Sequence, residues 1–164
     1  GFIDLTFSEY ALPNTLDTYY SCQSYDLRSE KKRHIVAFEP LIQEENADHV
    51  HHLVVYRCKA GDFADAHREP VACTPGNAEE GLDMHKGDSP SGAAGGDCDG
   101  TIYVWAAGGG MFVLPDEAGI PIGADEKSVI VLEIHYDNPA RIPGIVDSSG
   151  FRIHYTETLR QHDA

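Results

Sequence analysis

The apolar residues of this chain come in short β-branched runs that stop at Pro, Gly or Asn, and no apolar stripe of helical period lasts three turns. The strongest run is Ser128-Val-Ile-Val-Leu-Glu-Ile-His-Tyr136, closed by Asp137-Asn-Pro139. His49-Val-His-His-Leu-Val-Val-Tyr-Arg-Cys58 reads as a second strand, and His34–Pro40 as a third that stops at Pro. Thr101–Ala107 runs into the corner Gly108-Gly-Gly110, and Met111–Leu114 and Phe151–Thr156 are further strands. The N-terminus reads as an opening strand, a turn at Pro13 and a Tyr/Ser-rich segment, Thr18–Tyr25; Pro115–Gly119 reads as a turn. Short strands separated by turns predict an all-β sandwich or barrel. The length of 164 residues fits one domain spanning 1–164.

Residues 59–100 break this pattern. They are rich in Gly, Asp, Ala, Pro and Ser and read as a long loop, tied down wherever Cys73 and Cys98 are bridged. The four Cys (Cys22, Cys58, Cys73, Cys98) contain no Cys-x-x-Cys pair, which favours two disulfides in an oxidising compartment over a zinc site. Spacing alone leaves all three connectivities open. A net charge of −15 repels phosphate backbones and anionic bilayers, so nucleic acid is excluded as a partner. No apolar run approaches the ~20 residues of a membrane-spanning helix, so no membrane insertion is expected. Secretion follows from the cysteines, because no targeting segment is visible. There is no Gly-x-Ser-x-Gly elbow, no phosphate loop and no His-Glu-x-x-His.

Nine His is a high count, and three crowd into His49-Val-His-His52. Imidazole suits copper and zinc. Strict strand alternation puts His49 and His51 on one face and His52 on the other. For His51 and His52 to share an ion the strand must be bulged or strongly twisted there. A third ligand has to come from elsewhere, and His135 and His154, both on firm strands, are equally placed.

Several stretches resemble the copper type II, ascorbate-dependent monooxygenases. Val50-His-His-Leu, with Cys58 six residues after the second His, resembles the family's His-His-Met motif. Thr18-Tyr-Tyr-Ser-Cys22 resembles its Thr-Tyr-x-Cys opening. Val104-Trp-Ala-Ala followed by Leu114-Pro-Asp-Glu-Ala-Gly119 resembles its Trp-Ala and Ala-Gly run. Leu132-Glu-Ile-His-Tyr-Asp-Asn-Pro139 and Asp147-Ser-Ser-Gly150 resemble its Leu-Glu-Val-His-Tyr and Ser-Gly segments. The stretches occur in order from residue 18 to about 160; the loop 59–100 is the least similar part.

The resemblance implies an antiparallel β-sandwich of jelly-roll type. It implies the pairings Cys22–Cys73 and Cys58–Cys98, and one copper per chain on His51, His52 and His135, with ascorbate as external reductant. Glu133, two residues before His135, should share its face, and is either an acceptor for a ligand N–H or a surface carboxylate. Family enzymes carry a second, oxygen-activating copper on a His-x-His pair and a Met in a further domain. No His-x-His follows His135 here, and the chain has two Met. The expectation is therefore a secreted electron-transfer half, partnered by a second monooxygenase domain or another redox protein. The alternatives are a stand-alone copper protein and an interaction module that keeps the fold without catalysis.

Overall fold

The computed structural model describes residues 1–59, 69–73, 98–124 and 127–164, with the backbone alone for 98–100. Two sheets dominate. One has the order β6-β3-β10-β5-β7: β3 is Thr18–Asp26, β5 Val50–Cys58, β6 Val71–Ala72, β7 Cys98–Ala106 and β10 Val129–Asp137. The other runs β1-β12-β4-β9-β13, made of Phe2–Thr6, Gly150–Thr156, Arg33–Leu41, Ala118–Ile122 and His162–Asp163, with β8 (Phe112–Val113) also on β4. A small pair joins β2 (Tyr10–Ala11) to β11 (Val146–Asp147). Pairing is antiparallel except at β9–β13. Neither sheet closes into a barrel; the fold is the expected antiparallel sandwich of jelly-roll type. Among the described residues the only helical element is a single 3-10 turn, Glu44–Asn46.

Side-chain alternation divides the central strand β10 between two apolar clusters. Ile130, Leu132, Ile134 and Tyr136 enter the core between the sheets, with Leu53, Val55, Phe38 and Phe151. Val129 and Val131 face the other way, into a second cluster with Cys22, Cys73, Val54 and Tyr56. A strand apolar on both faces has to be internal, which is why Ser128–Tyr136 reads as a continuous run. The Cys22–Cys73 disulfide forms as expected and ties the short strand β6 to β3. Cys58 lies opposite Cys98 in the β5–β7 register, but the Cys98 side chain is outside the described residues.

Three sequence expectations are corrected. Thr18–Tyr25 is part of the nine-residue strand β3, whose Tyr and Ser residues had masked its alternation. Pro40 does not stop β4 but lies inside it, paired with Phe151. Its missing N–H costs little there, because β8 and β9 pair with β4 only between Arg33 and Phe38. The turn at Pro115 is short, and β9 already begins at Ala118.

A buried polar knot positions the start of β5. Asp147 Oδ2 accepts from Tyr136 Oη (2.8 Å) and Ser149 N (3.0 Å). Its Oδ1 accepts from Ser149 Oγ (2.7 Å) and Asn46 Nδ2 (2.9 Å). All four residues are buried, so each polar group depends on this partner set. Asn46 O in turn accepts from His49 N at 2.8 Å. Gly150, next in sequence, must lack a Cβ, which would lie 2.0 Å from Leu5 O.

Candidate metal centre

The strand carrying the His cluster departs from regular alternation. Along β5–β10, His52 lies opposite His135 and Val50 opposite Tyr136, with a register shift between His135 and Tyr136. His51 is thus the extra residue of a β-bulge. Val50 packs in the core with Leu53 and Val55, although even spacing would separate it from them. Absorbing His51 in the bulge puts its ring on the same side as those of His52 and His135. The Gly corner closes against this spot: Gly109 N donates to Ala106 O (2.9 Å), Trp105 Nε1 donates to Gly109 O (2.6 Å), and Ala107 N donates to His51 O (3.4 Å).

The three rings converge through their Nδ1 atoms. His52 Nδ1 lies 3.0 Å from His51 Nδ1 and 3.1 Å from His135 Nδ1. A ring nitrogen holds one proton or one lone pair, so hydrogen bonding can satisfy at most one of these two contacts. A cation bound about 2 Å from each nitrogen satisfies all three. His51 is exposed, His52 partly buried and His135 only 9% exposed, so the cluster is open to solvent on the His51 side.

His135 is the most constrained of the three. Its ring stacks on Tyr20 with centroids 4.2 Å apart and planes 8° apart. Its Nε2 lies 2.5 Å from Thr18 Oγ1 and 3.4 Å from Asp137 Oδ1. Burial, then the neighbouring His52, lowers the His135 pKa to about 4. Burial, then His51, also lowers that of His52. Both rings are therefore neutral near pH 7, the form that binds a metal.

The remaining histidines are engaged elsewhere or not described. His49 Nδ1 donates to Asp137 O (2.8 Å), which leaves it outside the cluster. His154 is on the other sheet, 2.8 Å from Glu39 Oε2. His34 is buried, with Nε2 at 2.9 Å from Asp163 Oδ1 and Nδ1 accepting from Arg160 N at 3.0 Å. His162 lies in β13. His67 and His85, with most of the expected loop 59–100, lie outside the described residues.

Glu133 shares the face of His135 but turns away from it. It contacts Tyr56 Oη at 3.4 Å and the Cys22 sulfur at 3.9 Å. It is only 3% exposed, and burial raises its carboxyl pKa to about 7. The cluster Cys22, Cys73 and Glu133 holds no free thiolate, because the two sulfurs are bonded to each other. The polar partners of His135 are Thr18 and Asp137 instead. Sequence reading assigned neither a role; their only signal was position, since Thr18 faces Asp137 across β3–β10, two residues beyond the Tyr20–His135 pair.

A sequence profile of the N-terminal domain of copper type II ascorbate-dependent monooxygenases matches residues 3–143. The chain is 32% identical to DBH-like monooxygenase protein 1 of Gallus gallus, over all of this chain and 25% of that protein. It is 36% identical to DBH-like monooxygenase protein 2 of Mus musculus, over 98% of this chain and 23% of that protein. With dopamine beta-hydroxylase of Equus caballus the identity is 34%, over 98% of this chain and 25% of that protein. The chain thus spans about a quarter of the length of these curated relatives.

Proposed function

Because this chain belongs to the copper type II ascorbate-dependent monooxygenase family, we propose that residues 1–164 act as one copper-binding redox domain, with a single copper on His51, His52 and His135. The observation that carries this reading is the convergence of three Nδ1 atoms on one face, made possible by the bulge at His51. Bound copper supplies a one-electron Cu(II)/Cu(I) couple that ascorbate can reduce. The chain's own part is to hold neutral imidazoles in a fixed geometry. Tyr20 stacking and the Nε2 contacts restrain His135, and the bulge aims His51 and His52. The exposed side at His51 gives a reductant or a partner access.

The domain is the electron-delivering half of a monooxygenase, and its partner is a second domain bearing the oxygen-activating copper. Support for this is that the chain covers only about a quarter of its relatives. The setting is the secretory lumen or the extracellular space, where the Cys22–Cys73 disulfide persists. Among the described residues no helix is long and apolar enough to cross a membrane.

The test is equilibrium dialysis against Cu(II), followed by anaerobic ascorbate. The wild type should retain one copper per chain, and ascorbate should abolish its Cu(II) EPR signal. Undiminished copper in the double variant His51→Ala/His52→Ala would contradict the assignment.

A further inference from the structure

We infer that Thr18 is the positioning residue that sets the ring orientation of His135 and, with the Asp137 carboxylate beside it, its tautomer, and so aims Nδ1 at the ion; the inference rests on the copper reading above. Stacking on Tyr20 holds the plane of the His135 ring, at 8° from its own. It does not choose between the two orientations related by a half-turn about Cβ–Cγ. That half-turn swaps Nδ1 with Cδ2 and Nε2 with Cε1 while leaving the stack nearly unchanged. Only a directional contact at one ring atom can choose, and Thr18 Oγ1 at 2.5 Å from Nε2 makes one. In the flipped ring a carbon would face the hydroxyl.

A hydroxyl can donate or accept, so the proton is fixed by the Thr18 contact together with the carboxylate beside it. Nε2 faces the Thr18 hydroxyl and, at 3.4 Å, the Asp137 carboxylate, which can only accept. The proton therefore belongs on Nε2, donated to Thr18 Oγ1, and Nδ1 keeps the lone pair a metal needs. The opposite tautomer would point a proton from Nδ1 at His52 Nδ1, 3.1 Å away.

The position of Thr18 is itself built. Asp17, just before it, accepts from Asn138 N at 2.6 Å through its carbonyl and from Arg141 Nε at 2.8 Å through its carboxylate. Asn138 is fully buried and closes its turn by exchanging hydrogen bonds with Ile142, 2.9 Å through Oδ1 and 3.0 Å through Nδ2. The Asn-Pro turn after β10 thus anchors the first residue of β3 beside the ring that β10 carries.

The experiment compares Thr18→Val, which keeps the shape, Thr18→Ser, which keeps the hydroxyl, and Asp137→Asn. Metal-free protein labelled with 15N-histidine reports by long-range NMR which His135 nitrogen is protonated. A competition titration reports Cu(II) affinity. In the wild type and Thr18→Ser, His135 should be the Nε2–H tautomer. In Thr18→Val it should become a mixture, with Cu(II) affinity about 10- to 100-fold weaker. Asp137→Asn, which removes the group that can only accept, should also shift His135 towards a mixture, less than Thr18→Val does because Asp137 lies farther off, at 3.4 Å. Thr18→Ala is the second variant should Thr18→Val misfold, with the same expectation. An Nε2–H tautomer and full affinity in Thr18→Val, or loss of both in Asp137→Asn alone, would overturn the inference. Equal copper affinity of the wild type and His135→Ala would instead remove the copper reading, and the tautomer measurement would still decide the role of Thr18.

Discussion

Replacing Glu133 by Gln should stabilise the metal-free protein at pH 8 and leave it almost unchanged at pH 4.5. Burial raises the Glu133 pKa from 4.5 to about 7, so between these values the folded chain keeps a proton that the unfolded chain has released. The folded state binds more protons there, and stability falls as pH rises. The contribution is full below pH 4.5 and is lost as pH passes through about 7. At 1.36 kcal/mol per pKa unit, an interval of about 2.5 units is worth about 3 kcal/mol, as a ceiling. Gln fills the same space and can still accept from Tyr56 Oη, now at 3.4 Å from the carboxylate. It therefore removes the charge without opening a cavity. The depressed pKa of His135 acts in the opposite direction, weakening the fold as pH falls from 6.5 towards 4. That term is common to both proteins and cancels in their difference. Urea unfolding with EDTA at pH 4.5, 6 and 8 measures this difference directly. An advantage for Gln that grows with pH towards a few kcal/mol supports a buried, reluctantly ionised carboxyl. An advantage that is absent, or equal at all three pH values, refutes it.

Asp147→Asn should destabilise the fold by about 3 kcal/mol in urea unfolding, because an amide NH2 would then face donors now satisfied by a carboxylate, Tyr136 Oη and Ser149 N or Asn46 Nδ2 and Ser149 Oγ. A loss below about 1 kcal/mol would mean the knot is not a linchpin. His49→Ala should bind copper with wild-type stoichiometry and lose about 1 kcal/mol of stability, since the side chain spends Nδ1 on Asp137 O. Halved copper content in this variant would place His49 among the ligands.

The class of fold was legible because β10 and β5 carry β-branched runs whose two-sided burial leaves an unmistakable pattern. Strand β3 was not, since Tyr19 enters the core while Tyr20 faces the His cluster, and aromatic-plus-hydroxyl composition hides which face is buried. Alternation alone nominated His49 with His51. The bulge that reverses this is a register property, set by how Val50 and Tyr136 share the core, and no local signal in β5 records it. The resemblance supplied His51, His52 and His135, whose nitrogens lie within 4.8 Å of one another. Thr18 and Asp137 were out of reach of sequence reading, because their contacts with His135 depend on β3 and β10 being in one particular register. Glu133 was read as either an acceptor for a ligand or a surface carboxylate; its spacing from His135 gave the correct face, but not the direction of the side chain or the depth of its burial.

The central claim is that three imidazoles bind one copper, and pulsed EPR on the protein loaded with one equivalent of Cu(II) counts them. The wild type should show three imidazole couplings and His135→Ala two, with weaker binding. Couplings in His135→Ala identical in number and strength to those of the wild type would contradict the claim.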